Sequence, residues 1–524
     1  MGIGFGMYKA TFASLWRDLK KLKFLVAPLL IGLFPVLSLY QRNIQDILPS
    51  LIVHPILLVI AITIAGSLAL RFITKDNIKI GVILSLAWIF FFFYVPLIDL
   101  AAGYNESVRN LDSILLPIWA GLFLTLTWFI FKANQPLSSG LNFLVVVGTV
   151  VVAIQLFGVL SYTVQARETD FNKYLVDDEY KTLQDNDDAQ LPDIYYILLD
   201  GYPRSDTLEE YFDFDNSVFD GFLESRNFSV ADDSYTNYSQ TALAIPAILN
   251  MSYIKDLPEK GGIPLTELME LYHNNKILNY LKPAGYKWIH NTNYYRAGDN
   301  PNADLNIRCD ASNEFLKELV GTTILEPFDI ISDQQRQDLR TDGLCVIDAF
   351  DSSLPGPTFT FSHIISPHPP YVYGPDGEDV SEVNLGLNSA TRWLAKGPFI
   401  DQLQYLNKRL IEKVQAILDK SSNSIIIIQS DHGTLSSATE AVNLADIRPV
   451  VLKERHRNYL AIYLPVSCNP DNLTSTITGV NTFRMIFNNC FDADYEELVD
   501  KVYYNKSGPA GYKSFKDITD EVRN

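Results

Sequence analysis

The chain has 524 residues, enough for two or three domains, and its formal net charge of −19 makes it a poor ligand for nucleic acid. The charge is unevenly spread: residues 1–165 hold eleven Lys/Arg against six Asp/Glu, a net of +5, so residues 166–524 carry −24. The near-neutral mean hydropathy therefore averages an oily part with an acidic part.

Five apolar runs lie in the oily part, at about 24–40, 51–73, 80–100, 113–131 and 142–162. Most reach the ~20 residues that cross a bilayer as a helix. The first is the shortest and holds Pro28 and Pro35. A cleaved signal peptide would not precede four further runs. The short loops assign a direction. Lys9, Arg17, Lys20, Lys21 and Lys23 precede the first run, Arg71, Lys75 and Lys79 follow the second, and Lys132 follows the fourth. The alternate loops hold only Arg42 and Arg109. Nine basic residues against two predict a cytoplasmic N-terminus. Five crossings then put everything after about residue 163 outside, whereas an even number would leave it cytoplasmic. The expected organisation is a five-helix transmembrane domain over 1–163, a juxtamembrane helix and linker over 164–190, and an extracytoplasmic domain over 191–524. The spans hold few ionisable residues, His54 being the main one, which argues against a transporter.

All four cysteines (Cys309, Cys345, Cys468 and Cys490) fall in the part expected outside, where disulfides are permitted. Proximity suggests Cys309–Cys345 and Cys468–Cys490 among three possible connectivities. No Cys/His metal spacing occurs.

In the acidic part, the run Asp193–Asp200 is continuous and β-rich, the signature of a buried parallel strand. Similar runs occur at 424–431, at 358–365, more weakly at 286–290, and at 459–465. Helical patterns such as 400–420 alternate with them. That order predicts an α/β domain with a mostly parallel central sheet. In such sheets ligands bind at the carboxyl ends of the strands. Here those ends carry Asp200-Gly201, Asp431-His432-Gly433, and His363 with His368. Carboxylate oxygens with imidazole suit Zn²⁺ or Mn²⁺. One Asp at a strand end can equally be a helix N-cap; three ends converging on one edge point to a site. The segment 236–251 passes from polar to apolar helical residues around Thr241, which puts a hydroxyl at a helix N-terminus, where an anion is favoured. Alone, Thr241 or Ser239 would read as an N-cap. His456, in the segment 453–459, reads as a solvated loop residue, and Arg455 and Arg457 beside it as surface charge, with anion binding the other reading.

The set Asp200, Thr241 and Asp431-His432-Gly433, with histidines between, resembles the alkaline-phosphatase/sulfatase superfamily. Within it the likeness is to lipoteichoic acid synthases and lipid A phosphoethanolamine transferases, which also carry five membrane helices before an extracytoplasmic catalytic domain. The stretch Thr241–Pro246 is similar to the nucleophile motif of those transferases, and His363 and His368 match their paired histidines at the same spacing. The resemblance implies an alkaline-phosphatase-like fold. It implies one divalent metal ion, Zn or Mn, on Asp200, Thr241, Asp431 and His432. Thr241 would be the nucleophile, passing through a phospho-threonine, while His363 and His368 would bind substrate phosphate or protonate the leaving group. The implied donor is a membrane lipid or lipid-linked phospho-headgroup, and the acceptor a surface glycan or lipid. Two departures stand out. The transferases usually present Glu where this chain has Asp200, and the formylglycine motif Cys/Ser-x-Pro-x-Arg of sulfatases is absent. A sulfatase-like hydrolase of phosphate or sulfate esters, and a catalytically inactive envelope scaffold, are the alternatives.

Overall fold

The computed structural model describes residues 23–44, 49–102, 111–166, 171–176, 181–183, 191–257, 262–291, 300–309, 314–328, 332–351, 354–380, 393–438, 448–469, 476–508 and 511–523. The basic residues at 9, 17, 20, 21 and 109, and most of the expected linker, lie outside them. The chain divides into two compact units, residues 1–168 with 313–331, and residues 169–312 with 332–524.

The first unit is helical: α1 (Val26–Arg42), α2 (Val53–Leu70), α3 (Asn77–Phe92), α4 (Tyr94–Ala102), α5 (Asp112–Lys132) and α6 (Ser138–Ala166). Among the described residues, four helices are long and apolar enough to cross a membrane; α3 and α4, bent by 44°, make a fifth if they form one span. Close crossings use small residues, as expected where lipid offers no hydrophobic drive. Gly32 of α1 sits against Val59 and Trp88, and Gly148 of α6 against Leu30. The Trp88 indole donates to Thr63 Oγ1 at 2.9 Å, and that hydroxyl donates to the Val59 carbonyl at 2.7 Å. Both polar groups are thereby satisfied away from water. Ile114, Ile118, Leu124 and Trp128 of α5 are exposed, the pattern of a lipid-facing helix.

The second unit is built on a seven-stranded sheet. Its strands are β1 (Asp193–Asp200), β2 (Ser229–Val230), β4 (Lys287–Asn291), β5 (Leu305–Ile307), β6 (Thr358–Pro367), β7 (Ser424–Ser430) and β8 (Leu460–Tyr463), in the order β2-β8-β7-β1-β6-β4-β5. β3 (Asp233–Tyr235) and β9 (Thr476–Thr478) form a separate pair. β1 pairs in parallel with β6 and β7, and β4 in parallel with β5 and β6; β8 runs antiparallel to β7 and β2. All five strands expected from the sequence are present, and the sheet is mostly parallel.

Two-residue periodicity sorts β1 between two cores. Ile194, Tyr196 and Leu198 enter one, while Tyr195, Ile197 and Leu199 enter the other. In β7, Ile425 and Ile427 join the first, and Ile426 and Ile428 the second. A strand apolar on both faces needs helices on both. The first core is closed by α9 (Thr241–Leu249), α11 (Lys276–Leu281) and α16 (Gly479–Phe491). The second is closed by α7 (Ser205–Phe212), α8 (Ser217–Glu224), α13 (Ser332–Asp348), α14 (Lys396–Lys420) and α15 (Pro449–His456). Along α14, Phe399, Leu403, Leu406, Leu410, Val414 and Ile417 recur every three or four residues and are all buried. Each contributes about 1.5–3 kcal/mol of burial free energy.

Two boundaries differ from the expectation. The chain from 169 onward already belongs to the second unit: Tyr174 and Leu175 are buried there, and the Leu183 N–H donates to the Tyr280 carbonyl. Residues 313–331 return to the helical unit. There Phe315 and Leu319 of α12 (Glu314–Gly321) are buried with Val36, Val59 and Trp88, and the Ile324 N–H donates to the Phe91 carbonyl at 2.9 Å. Both expected disulfides, Cys309–Cys345 and Cys468–Cys490, are formed.

Candidate metal and nucleophile site

Registers bring the carboxyl ends of three strands level: Leu199 of β1 pairs Ser430 of β7, and Asp200 pairs Pro367 of β6. The chain turns sharply just past these ends. Gly201 has φ +73°, and a Cβ there would meet the Trp393 ring at 2.5 Å. At Gly433 a Cβ would meet the Glu454 carbonyl oxygen at 2.2 Å. Glycine is needed at both points because no side chain fits.

Asp200, Asp431 and His432 are essentially unexposed. Oδ1 of Asp431 accepts two backbone N–H groups, from Gly201 at 3.1 Å and His432 at 2.9 Å. That leaves Oδ2 turned toward His432 Nε2. Oδ2 of Asp431 and Oδ1 of Asp200 have no hydrogen-bond donor among the described residues. His432 Nδ1 lies 3.0 Å from the Gly433 carbonyl, which assigns the ring proton to Nδ1 and the lone pair to Nε2. That lone pair lies 3.3 Å from Asp431 Oδ2 and 3.5 Å from Asp200 Oδ1. His363 Nε2 is 3.4 Å from Asp200 Oδ2. One ligand atom each from Asp200, His363 and Asp431 fall within 4.8 Å of one another.

Two carboxylates buried side by side repel unless a cation lies between them. The electrostatics agree. Burial, and then the Asp200 charge, push the Asp431 carboxyl up to about 7. Burial also raises Asp200. The imidazoles move the other way: burial lowers His363 to about 4 and holds His432 well below its usual range. Two reluctant carboxylates and two neutral imidazoles fit a divalent cation that accepts oxygen and nitrogen donors.

Thr241 opens α9. Its hydroxyl lies 3.2 Å from His432 Nε2, beside Asp431. His368 follows β6; its backbone N–H donates to the Asp200 carbonyl at 3.1 Å. Its Nδ1 lies 2.6 Å from the Pro369 carbonyl, and its ring packs edge-on to Trp393 at 4.9 Å. The structure therefore gathers Asp200, Thr241, Asp431, His432 and His363 at one point, with His368 beside Asp200. His363, expected against substrate, stands on the carboxylates.

Three residues were misread or missed in the sequence. His456 and Arg455 are buried rather than solvated. Arg455 Nη2 lies 2.9 Å from His432 Nε2, and Nε and Nη1 donate to the Ser239 and Gly433 carbonyls, each at 2.8 Å. Glu454 accepts from Thr434 and from the N–H groups of Ser436 and Ser437, which fixes the loop after Asp431. Arg457 does sit nearer the surface, paired with Glu210 at 3.0 Å. His290 is buried against the Tyr272 hydroxyl at 2.6 Å, outside the site.

No family model matches the chain. No curated protein matches it either. Solved structures similar to it are phosphoethanolamine transferases and sulfatases of the alkaline-phosphatase/sulfatase superfamily. The C-terminal periplasmic domain of EptC from Escherichia coli is 13% identical, with 65% of this chain and 96% of that chain covered and a TM-score of 0.41. A zinc complex of the same domain scores 0.42. The integral membrane lipooligosaccharide phosphoethanolamine transferase A from Neisseria meningitidis is 12% identical, with 82% of this chain and 94% of that chain covered and a TM-score of 0.39.

Proposed function

We propose that the chain is a membrane-anchored, metal-dependent phosphotransferase or phosphodiesterase in which Thr241 is the nucleophile. The observation that supports this most is the pair of buried carboxylate oxygens, on Asp200 and Asp431, facing the lone pair of His432 beside the Thr241 hydroxyl. Asp200, Asp431 and His432 would hold one divalent ion, zinc or manganese, with Thr241 and His363 at its edge. Such an ion, when bound, supplies Lewis-acid stabilisation of an alkoxide and of phosphoryl oxygens.

The protein's own groups supply the rest. Thr241 Oγ1 attacks phosphorus, an Oγ1–P bond forms, and the P–O bond to the leaving alcohol breaks. The hydroxyl proton goes to a carboxylate oxygen of Asp431 and from there to the departing alcohol oxygen. The N-terminus of α9 favours the anion that builds up there. With Nδ1–H held by the Pro369 carbonyl and burial keeping it neutral, His368 presents a lone pair at Nε2. That makes it a base for the incoming acceptor hydroxyl rather than an acid for the leaving group. A phospholipid or lipid-linked headgroup is the donor that a membrane-anchored site reaches, and a surface glycan or lipid the acceptor.

The two disulfides suit an oxidising compartment outside the cytoplasm. With nine basic residues against two on alternate loops, this supports a cytoplasmic N-terminus and an extracytoplasmic catalytic unit. Fusing alkaline phosphatase after residue 166 tests the side: activity supports the assignment, and its absence contradicts it. For the chemistry, full-length protein in detergent is assayed for metal content and for cleavage of bis(4-nitrophenyl) phosphate. About one Zn or Mn per chain with metal-dependent cleavage is expected. Metal-free protein with full activity, or activity unchanged in Thr241→Ala, would overturn the reading.

A further inference from the structure

Arg455 places a buried cation against His432 at a fixed point. Two backbone carbonyls hold the guanidinium in plane, Ser239 O accepting from Nε and Gly433 O from Nη1, each at 2.8 Å. The Trp393 ring lies against it, 5.6 Å from Cζ to centroid. The anchors are instructive: Ser239 stands two residues before Thr241, and Gly433 directly follows His432. The guanidinium thus ties together the segment with the hydroxyl and the segment with the carboxylate and imidazole. Its remaining nitrogen, Nη2, points to His432 Nε2 at 2.9 Å, and Thr241 Oγ1 lies 3.2 Å from that same atom. One phosphoryl group on Thr241 can therefore touch Nη2. Burying an arginine this far costs solvation, and a planar guanidinium is suited to phosphate oxygens.

Resting on the phosphoryl-transfer reading above, we propose that Arg455 is a catalytic phosphate-binding residue. Where His432 Nε2 would hold the ion, Nη2 would turn from it; as Oγ1–P forms and the ester P–O bond breaks, Nη2 donates to a non-bridging oxygen, where negative charge is greatest. The ligand class is an anionic phosphate ester. A fixed donor of this kind needs no rearrangement of its anchors during reaction, which is what makes such donors effective.

The test uses full-length protein in detergent, bis(4-nitrophenyl) phosphate as substrate and inorganic phosphate as inhibitor, with Arg455→Gln and Arg455→Lys compared. Bound metal is measured in each. Arg455→Gln should keep its metal, lose turnover by about 10²-fold or more, and bind inorganic phosphate at least tenfold more weakly. Arg455→Lys should recover part of both. Unchanged phosphate inhibition in Arg455→Gln overturns the proposal. Loss of metal from both variants also overturns it, by making Arg455 a positioning residue for His432. A wild-type protein without metal or turnover would sink the underlying reading instead, and the metal assay on wild type tells the two failures apart.

Discussion

Replacing Asp431 by Asn separates what the site needs for folding from what it needs for chemistry. Oδ1 of Asp431 accepts from two N–H groups, and an Asn carbonyl can accept both. The other oxygen, without a donor among the described residues, becomes an NH₂ that can donate to Asp200. The metal-free protein should therefore gain stability. The sign follows from the raised pKa. A carboxyl held at about 7 in the folded chain and at its ordinary 3.8 unfolded costs nothing below pH 4, and costs progressively more as pH rises to about 7. The full difference is worth about 4 kcal/mol at most, and less where Asp200 takes the proton instead. After chelation, Asp431→Asn should melt several degrees above wild type at pH 7.5, with the gap closing toward pH 4.5. Adding Zn²⁺ at a hundredfold excess over Kd should then stabilise wild type by about 2.7 kcal/mol and leave the variant unmoved. Melting is followed by intrinsic fluorescence in detergent. A metal-free variant less stable than wild type at pH 7.5, or one equally stabilised by zinc, would refute the argument.

Thr241→Ala should lower turnover by about 10³-fold or more, whereas Thr241→Ser keeps the hydroxyl and most of the rate; bis(4-nitrophenyl) phosphate cleavage reads both. Gly433→Ala drives a Cβ into the Glu454 carbonyl at 2.2 Å, a backbone clash with no flexible side chain to yield. It should cost more than about 2 kcal/mol and release the metal, measured by denaturant unfolding and metal analysis. Cys468→Ser opens a disulfide spanning 22 residues, which should destabilise the catalytic unit by about 3 kcal/mol, read as a lower melting temperature. Metal uptake by wild type should weaken as pH falls below about 7, because protons compete for Asp431.

The strands were legible because a parallel strand buried on both faces leaves an unbroken apolar run, as in Asp193–Asp200 and Ser424–Ser430. Their terminal carboxylates stood out for the same reason: a charge directly after such a run needs a partner. Thr241 was visible as a polar-to-apolar switch. What the pattern could not show was the identity of long-range partners. Helix α15, from Pro449 to His456, reads as polar surface, yet Arg455 is buried because carbonyls more than twenty residues away accept from it. Glu454 is buried for the same kind of reason, serving the loop at 434–437. The return of residues 313–331 to the helical unit rests on Phe315 and Leu319, packed with Val36 and Trp88, and on the Ile324 N–H donated to the Phe91 carbonyl, partners that all lie far earlier in the chain. A window of local periodicity carries no such information.

The central claim is that Thr241 takes up the phosphoryl group, and an adduct on that residue tests it most directly. Wild-type protein loaded with zinc is mixed with a phosphodiester, quenched in acid, digested and analysed by tandem mass spectrometry. A phosphate ester on Thr241, absent after chelation and absent in Thr241→Ala, is the predicted result. Turnover with no adduct on Thr241 at any quench time, and with the same rate in Thr241→Ala, would contradict it.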